Sequence, residues 1–178
     1  MPSIFTHPVV PLAIGLALGQ RIVSKRLLAV GAIASILPDI DVISFQMGIP
    51  YAHDFGHRGA THSIFFAAFL GLAALGFSSK IGASRVASFS FVSIATASHG
   101  LLDMLTNGGL GIALAWPISS ERFFFPYQFV QVSPIGIERF FSSAGMIVIA
   151  SELLWVWMPS AILAATAIGL RRSFDSRR

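Results

Sequence analysis

The chain contains no cysteine and little charge. Its 178 residues include 12 lysines and arginines and eight acidic residues, which together make up 11% of the chain, against about 25% in an ordinary soluble domain. The absence of cysteine excludes disulfides and thiolate metal sites, so any metal must be held by nitrogen and oxygen ligands. With 54% hydrophobic residues, the composition favours an integral membrane protein over a water-soluble globule.

Five apolar segments predict an all-α membrane helix bundle. They span residues 8–20, 27–47, 63–79, 86–106 and 143–170. About 20 residues are needed to cross a bilayer, so the first is short and the last is long. Pro159 is expected to kink or end the last segment. We expect a single membrane-embedded domain, 1–178, with its motifs in 6–125 and a last helix and basic tail in 143–178. No removable signal peptide is expected.

The basic residues predict the orientation of this bundle. Nine of the 12 lie on alternate connections: Arg21, Lys25, Arg26, Lys80, Arg85, Arg171, Arg172, Arg177 and Arg178. The positive-inside rule assigns these connections to the cytoplasm. The amino terminus and the connections 48–62 and 107–142 should then face outward, with the carboxyl terminus cytoplasmic. Because the cations gather at segment ends and form no continuous stripe, we expect no nucleic-acid partner.

Four polar positions fall at a similar predicted depth. His7 lies 14 residues from Arg21, Asp39 lies 13 from Arg26, His62 lies 18 from Lys80, and His99 lies 14 from Arg85. At about 1.5 Å per helical residue, each lies roughly 20–27 Å from the cytoplasmic end. Unrelated core histidines would have no reason to coincide in depth. The coincidence predicts one site near the outer face.

Two motifs in apolar surroundings have the residue types of a metal site. His99 and Asp103 are four apart, so on a helix they share one face, as two ligands or as a local hydrogen-bonded pair. Asp39 and Asp41 would point about 200° apart on a regular helix. They can bind one metal only if the turn between them is broken or extended; otherwise they would bind two metals. A helix cap is the alternative for these acids, but apolar sequence continues after them, and uncompensated charge there is costly.

The motif His57-Arg58-Gly59-Ala60-Thr61-His62 precedes the third segment. Thr61 is a plausible N-cap, which would put His62 in the first turn, and Arg58 with the backbone N–H groups would suit an anion such as phosphate. A polar interfacial loop is the alternative. His7 taken alone is more often structural. Glu152 is either a residue behind the metal ligands or, more simply, a glutamate at the membrane interface.

Together these motifs resemble a bacterial family of membrane-bound, metal-dependent hydrolases, also called LexA-binding, inner-membrane-associated hydrolases. The resemblance covers about two thirds of the chain. Its motifs are Thr6-His7, Leu37-Pro38-Asp39-Ile40-Asp41, the 57–63 motif, the run 99–106, and 114–123. In the last of these, Ile118 and Glu121 replace the family's usual Phe and first Arg. The resemblance implies a metal-dependent hydrolase of the inner membrane, in contact with membrane lipid. The pattern His99-x-x-x-Asp103 is also similar to that of zinc phospholipase C and P1-type nucleases, and by this analogy we expect a phosphoester substrate, either a small molecule or a lipid-linked one.

The sequence therefore predicts a divalent-metal centre, with zinc favoured over manganese or magnesium and one or two ions bound. The predicted ligands are His7, Asp39, Asp41, His57, His62, His99 and Asp103. Asp41 is also the predicted general base, and Arg58 the predicted stabiliser of developing negative charge. The rival hypothesis is a non-catalytic membrane protein: a metal-stabilised scaffold, a transporter, or a regulator that binds a cytoplasmic protein partner through its basic tail.

Overall fold

A computed structural model of the chain describes residues 1–134 and 137–175. Within those residues the regular structure is helical, with two isolated β-bridges and no strand, which confirms the all-α prediction. The α-helices are α1 (Val9–Leu18), α2 (Lys25–Ala34), α3 (Ile43–Gln46), α4 (Ile64–Gly76), α5 (Ser78–Ile81), α6 (Arg85–Met104), α7 (Ile137–Phe140), α8 (Ser143–Glu152) and α9 (Met158–Asp175). Arg177 and Arg178 of the predicted basic tail lie outside the described residues.

Two helical runs are long and apolar enough to cross a membrane. They are Lys25–Gln46, with 22 residues, and Ser143–Asp175, with 33 residues. Val9–Leu18 and Ile64–Gly76 are apolar but shorter. Each of the five predicted segments contains a helix, but only two meet the length and composition expected of a span. Five crossings therefore stay a prediction.

Serine hydroxyls begin the three helices that frame the core. Ser24 accepts a 3.1 Å hydrogen bond from the N–H of Leu27 at the start of α2. Ser63 and Ser84 do the same at the starts of α4 and α6. These bonds satisfy backbone donors that a helix start leaves free. The prediction that Thr61 is an N-cap was wrong: Ser63 caps α4, and Thr61 lies in a preceding 3₁₀ turn, Ala60–His62.

Helix α6 lies at the centre of the bundle and packs against α1, α2 and α4. The approach to α4 is close, because a Cβ at Gly71 would collide with the Ser93 side chain and come within 2.9 Å of the Phe89 carbonyl oxygen. Small residues at such contacts allow membrane helices to approach closely. Leu27, Phe91 and Val92 form part of an apolar core to which α4 also contributes Ala74.

The two ends of the bundle differ in chemistry. At one end, Arg26 donates a 3.1 Å hydrogen bond to the Lys80 carbonyl oxygen, and Arg171 donates a 2.6 Å hydrogen bond to that of Ala17. Three basic connections therefore meet at this end. At the other end lie the start of α1, a 3₁₀ turn at Leu37–Val42, the start of α4 and the end of α6. All of the predicted metal ligands belong to this second end.

The last apolar segment continues through Pro159 and does not end there. A π-helical turn, Leu153–Trp157, joins α8 to α9 and ends two residues before the proline. Proline lacks the N–H that would bond the carbonyl of Trp155, so the regular α-helical ladder is interrupted at this point. The π-helical turn is the form that this interruption takes here.

Candidate metal centre

The centre is built around two histidines, His62 and His99, whose Nε2 atoms lie 3.0 Å apart. The Nδ1 atom of His99 lies 2.8 Å from the carbonyl oxygen of Ser35, so this nitrogen carries the hydrogen. The Nδ1 atom of His62 lies 3.2 Å from Oδ2 of Asp41, which favours a hydrogen there as well. Both Nε2 atoms then present lone pairs to each other. Two such lone pairs repel, whereas a cation between them would be bound by both.

Two carboxylates complete a group of four. Asp39 Oδ1 lies 3.4 Å from His99 Nε2, and Asp103 Oδ2 lies 3.4 Å from His62 Nε2. Both carboxylates are buried. Neither oxygen of Asp39 makes a hydrogen bond within the described residues, and Asp103 is paired with the guanidinium of Arg58 at 2.9 Å. Ligand bonds of about 2.0–2.2 Å in a tetrahedron separate ligand atoms by about 3.4 Å. The donor set and its spacing therefore fit a divalent metal, and Asp39, His62, His99 and Asp103 can share one ion.

His7 lies against this group. Its ring stacks on that of His99, with centroids 3.7 Å apart. Its Nε2 atom lies 3.7 Å from Asp39 Oδ2 and 3.9 Å from Asp103 Oδ1, and neither ring nitrogen makes a hydrogen bond in the described structure. Such an unsatisfied, fully buried imidazole is costly without a partner. His7 is placed to become a further ligand of the same ion.

Asp41 lies behind the histidines and is well hydrogen-bonded. Its Oδ1 lies 2.6 Å from His57 Nδ1, and its Oδ2 accepts hydrogen bonds from the Arg58 N–H at 3.0 Å and the Thr61 hydroxyl at 2.6 Å. Asp41, His57 and His62 also form a group able to hold an ion. However, carboxylates that orient ligating histidines make contacts of this kind. The roles of Asp41 as ligand and base stay predictions.

The guanidinium group of Arg58 is fully buried and paired within the protein. Its Nε lies 2.9 Å from Asp103 Oδ2, and it donates to the Gly108 carbonyl at 2.7 Å and to the Thr106 hydroxyl at 2.9 Å. Its backbone has a positive φ of 63°, which is uncommon for a residue with a side chain. These contacts hold Asp103 in place. Charge stabilisation by Arg58 stays a prediction.

The comparisons with known proteins agree on one family. A family model described as YdjM inner membrane protein matches residues 1–174. The chain belongs to this family. The chain is also similar to inner membrane protein YbcI of Escherichia coli strain K12, with 43% identity over 164 residues, which are 92% of this chain and 95% of that protein. No solved structure matches. The resemblance stated from the motifs and the inner-membrane location are thereby confirmed.

In this YdjM-family chain, a 3₁₀ turn at Leu37–Val42 carries both Asp39 and Asp41. On a regular α-helix these two side chains would point about 200° apart. Pro38 lies in the first turn, and its ring favours the tight start of a helix. Asp39 faces His99, whereas Asp41 faces His57, and both approach His62. The broken turn considered from the sequence is therefore present. It lets the two carboxylates contact different atoms of one imidazole.

Arg122, in the segment 114–123, forms hydrogen bonds with the backbone of the loop that precedes the site. Its guanidinium donates hydrogen bonds to the carbonyl oxygens of His57 and Tyr51 at 3.0 Å each, and to that of His53 at 3.1 Å. A guanidinium bonded to three carbonyls fixes the course of the backbone between them. Arg122 therefore helps to place His57 from outside the ligand group.

Glu152, for which the sequence left two interpretations, is buried and bonded to the amino-terminal segment that carries His7. Its side chain is only 2% exposed. The carboxylate accepts hydrogen bonds from the Ser3 hydroxyl and the Thr6 hydroxyl, both at 2.7 Å, and from the Ser3 N–H. Trp157 Nε1 donates to the same Thr6 hydroxyl at 2.8 Å. An acid inside an apolar segment was the available signal, because such a charge needs a partner.

Proposed function

We propose that this protein is a metal-dependent hydrolase of the bacterial inner membrane, acting on a phosphoester or lipid-linked substrate. One observation supports the metal above all others: the Nε2 atoms of His62 and His99 lie 3.0 Å apart, beside the buried carboxylate of Asp39, which has no hydrogen bond in the described structure, and that of Asp103, which is paired with Arg58. Hydrolysis is supported by the family resemblance of the motifs. When bound, a divalent metal would supply a water acidic enough to ionise near neutral pH.

One ion in the group Asp39, His62, His99 and Asp103 is the arrangement that the contacts favour. These atoms have the spacing of ligands, and they include nitrogen and oxygen donors that suit zinc or manganese. A second ion at Asp41 is less favoured, because both oxygens of that carboxylate already have hydrogen-bonding partners. His7 would add a fifth donor to the first ion.

Asp41 is proposed as the general base, held in position by His57. The 2.6 Å contact between Asp41 Oδ1 and His57 Nδ1 is the orienting bond of an acid–histidine pair. A cavity of about 270 Å³ lies against His57, Arg58 and Tyr51, and it offers room for a reacting group beside this pair. Arg58 is proposed to stabilise negative charge there while it holds Asp103.

The site is proposed to face outward in a bundle of five crossings. Support comes from the separation of the two ends of the bundle: the basic connections around Arg26, Lys80 and Arg171 meet at the end opposite the ligands. Positive connections are retained in the cytoplasm. The ligand end and the connection 107–134 would then lie at the outer interface.

The test compares metal content and hydrolysis in purified protein. Wild type should bind one divalent ion and hydrolyse a phosphomonoester, a phosphodiester or a lipid phosphate. His62→Ala should lose metal and turnover together. Asp41→Ala should retain most metal while losing about 10²–10⁴ in rate, the usual effect of removing a general base. Asp175→Ala, at the opposite end of the bundle, is the matched control. Metal-bound wild type without activity on any substrate would contradict the proposal.

A second candidate is a structural metal site in a non-catalytic scaffold. It is favoured by burial: the side chains of His7, His99 and Asp103 are 0% exposed. Structural zinc sites are typically closed, with four protein ligands, whereas catalytic ones keep a position open. In that case metal removal would lower the melting temperature, and the metal-bound protein would be inactive. The same experiment therefore separates the two functions.

A further inference from the structure

An apolar cavity of about 400 Å³ lies beside the metal centre. Its apolar wall is formed by residues from three separate parts of the chain: Ile4, Phe5, Val42, Phe140 and Phe141. Asp39 also lines it, so the cavity reaches the ligand group directly. A volume of this size lies within the range of small-molecule sites, roughly 300–1,000 Å³.

The two ends of the cavity differ in polarity. At the inner end, the Asp39 carboxylate has both oxygens without hydrogen bonds in the described structure. At the rim, Phe5 is 61% and Phe141 79% exposed, so the apolar wall continues to the surface of the bundle. A ligand that fills this space must be apolar along most of its length and polar at one end. That description fits an amphiphile.

We propose that this cavity binds a single hydrocarbon chain of a membrane lipid, with the polar headgroup of that lipid at the metal centre. The inference rests on the proposed function and narrows its substrate to a lipid. Lipid chains surround a protein of the inner membrane, and the exposed Phe5 and Phe141 provide lateral entry from them. With its hydrocarbon chain between Phe5 and Phe141 and the inner end of the cavity, the lipid would have its headgroup beside Asp39.

A peptide segment is a poorer occupant of the same space. Its backbone N–H and C=O groups would need partners once buried. The Ser3 hydroxyl is already bonded to Glu152, and the Ser133 N–H is bonded to the Met1 carbonyl oxygen. Apart from Asp39 and the amino group of Met1, the remaining wall is apolar. A hydrocarbon chain has no polar groups and needs no such partners.

The test uses dodecyl phosphate carrying a diazirine at the chain end, added to metal-loaded protein in lipid nanodiscs. After photolysis, mass spectrometry should place adducts on Ile4, Phe5, Phe140 and Phe141 at least tenfold above those on Phe69 and Leu72. The last two are exposed apolar residues of α4 and report general contact with lipid. Unlabelled dodecyl phosphate should compete, and inorganic phosphate should not. Labelling of the wall no stronger than that of α4 would overturn the inference.

Two variants fill the cavity from different sides. Val42→Trp and Ile4→Trp should each lower wall labelling at least tenfold, whereas Val86→Trp, an exposed control at the start of α6, should not. Ile4→Trp is included because Val42 belongs to the turn that carries Asp39. Wall labelling unchanged in both variants would overturn the inference. Metal content is measured in every sample: wild type with metal but without wall labelling refutes only the lipid, and wild type without metal refutes the proposed function.

Discussion

Glu152 accepts a 2.7 Å hydrogen bond from the hydroxyl of Thr6, although 146 residues separate the two in the chain. Thr6 directly precedes His7, so this bond ties the amino-terminal segment to the junction of α8 and the π-helical turn. The carboxylate also accepts hydrogen bonds from both the hydroxyl and the N–H of Ser3. The position of His7 beside the candidate ligands therefore depends on a residue of the last apolar segment.

Replacing Glu152 should loosen His7 without removing any ligand. Glu152→Ala leaves the buried hydroxyls of Ser3 and Thr6 without their acceptor, and each such loss costs about 1–3 kcal/mol. We expect a lower melting temperature and weaker metal binding. Calorimetry and metal titration would measure both. Glu121→Ala, which removes an exposed glutamate, should change neither. Wild-type values in Glu152→Ala would show that the contact does not support the site.

Metal removal should destabilise the protein by the free energy of binding. At a free metal concentration of 100 times Kd, bound metal adds about 2.7 kcal/mol to the free energy of unfolding. A chelator should therefore lower the melting temperature of wild type. His99→Ala and Asp39→Ala should each lower metal occupancy and remove most of this chelator effect. If both variants hold wild-type amounts of metal, the ligand group is assigned to the wrong residues.

Arg58→Ala should be among the most destabilising single changes in the chain. It leaves the buried carboxylate of Asp103 without its ion pair, and breaking a buried pair from one side typically costs about 3–5 kcal/mol. Arg58→Lys keeps the charge but loses the forked contacts with Thr106 and Gly108, so its loss should be intermediate. Denaturant unfolding would rank these variants. Arg139→Ala, at an exposed arginine, serves as the control.

The orientation can be tested with single cysteines, because the chain has none of its own. Ser120 is exposed in the connection predicted to face outward, and Ser79 is exposed at the basic end. Ser120→Cys should react with an impermeant maleimide in intact spheroplasts. Ser79→Cys should react only after permeabilisation. The reverse pattern would place the metal centre on the cytoplasmic side.

The sequence could predict that polar residues from distant motifs lie close together, because that prediction depended only on the regular geometry of helices. His7, Asp39, His62 and His99 lie at similar distances from basic residues, and the constant rise of a helix converts those distances into a common depth. The structure brings their polar atoms together at one end of the bundle. Apolar runs likewise located the helices, because a lipid-facing helix needs a nearly continuous apolar surface.

The finer chemistry of the site could not be predicted, because it depends on contacts between distant side chains. Nothing local in the sequence indicates that Arg58 pairs with Asp103 or that Ser35 orients His99. The cap of α4 was misassigned to Thr61 because Thr61 and Ser63 are both good N-cap residues and lie two positions apart. In the structure the Thr61 hydroxyl donates a hydrogen bond to Asp41, whereas the Ser63 hydroxyl accepts one from the Phe66 N–H and so caps α4.

The tie between the first residues and the last apolar segment also sets the order of events during biosynthesis. Ribosomes add about 5–20 residues per second, so His7 leaves the ribosome roughly 5–20 s before Asp103 and several seconds more before Glu152. Through that interval the nascent chain carries Asp39 and His62 into the membrane without the groups that surround them in the finished protein. The position of His7 beside these groups is therefore set late, because Thr6 can bond to Glu152 only after the last segment has been synthesised.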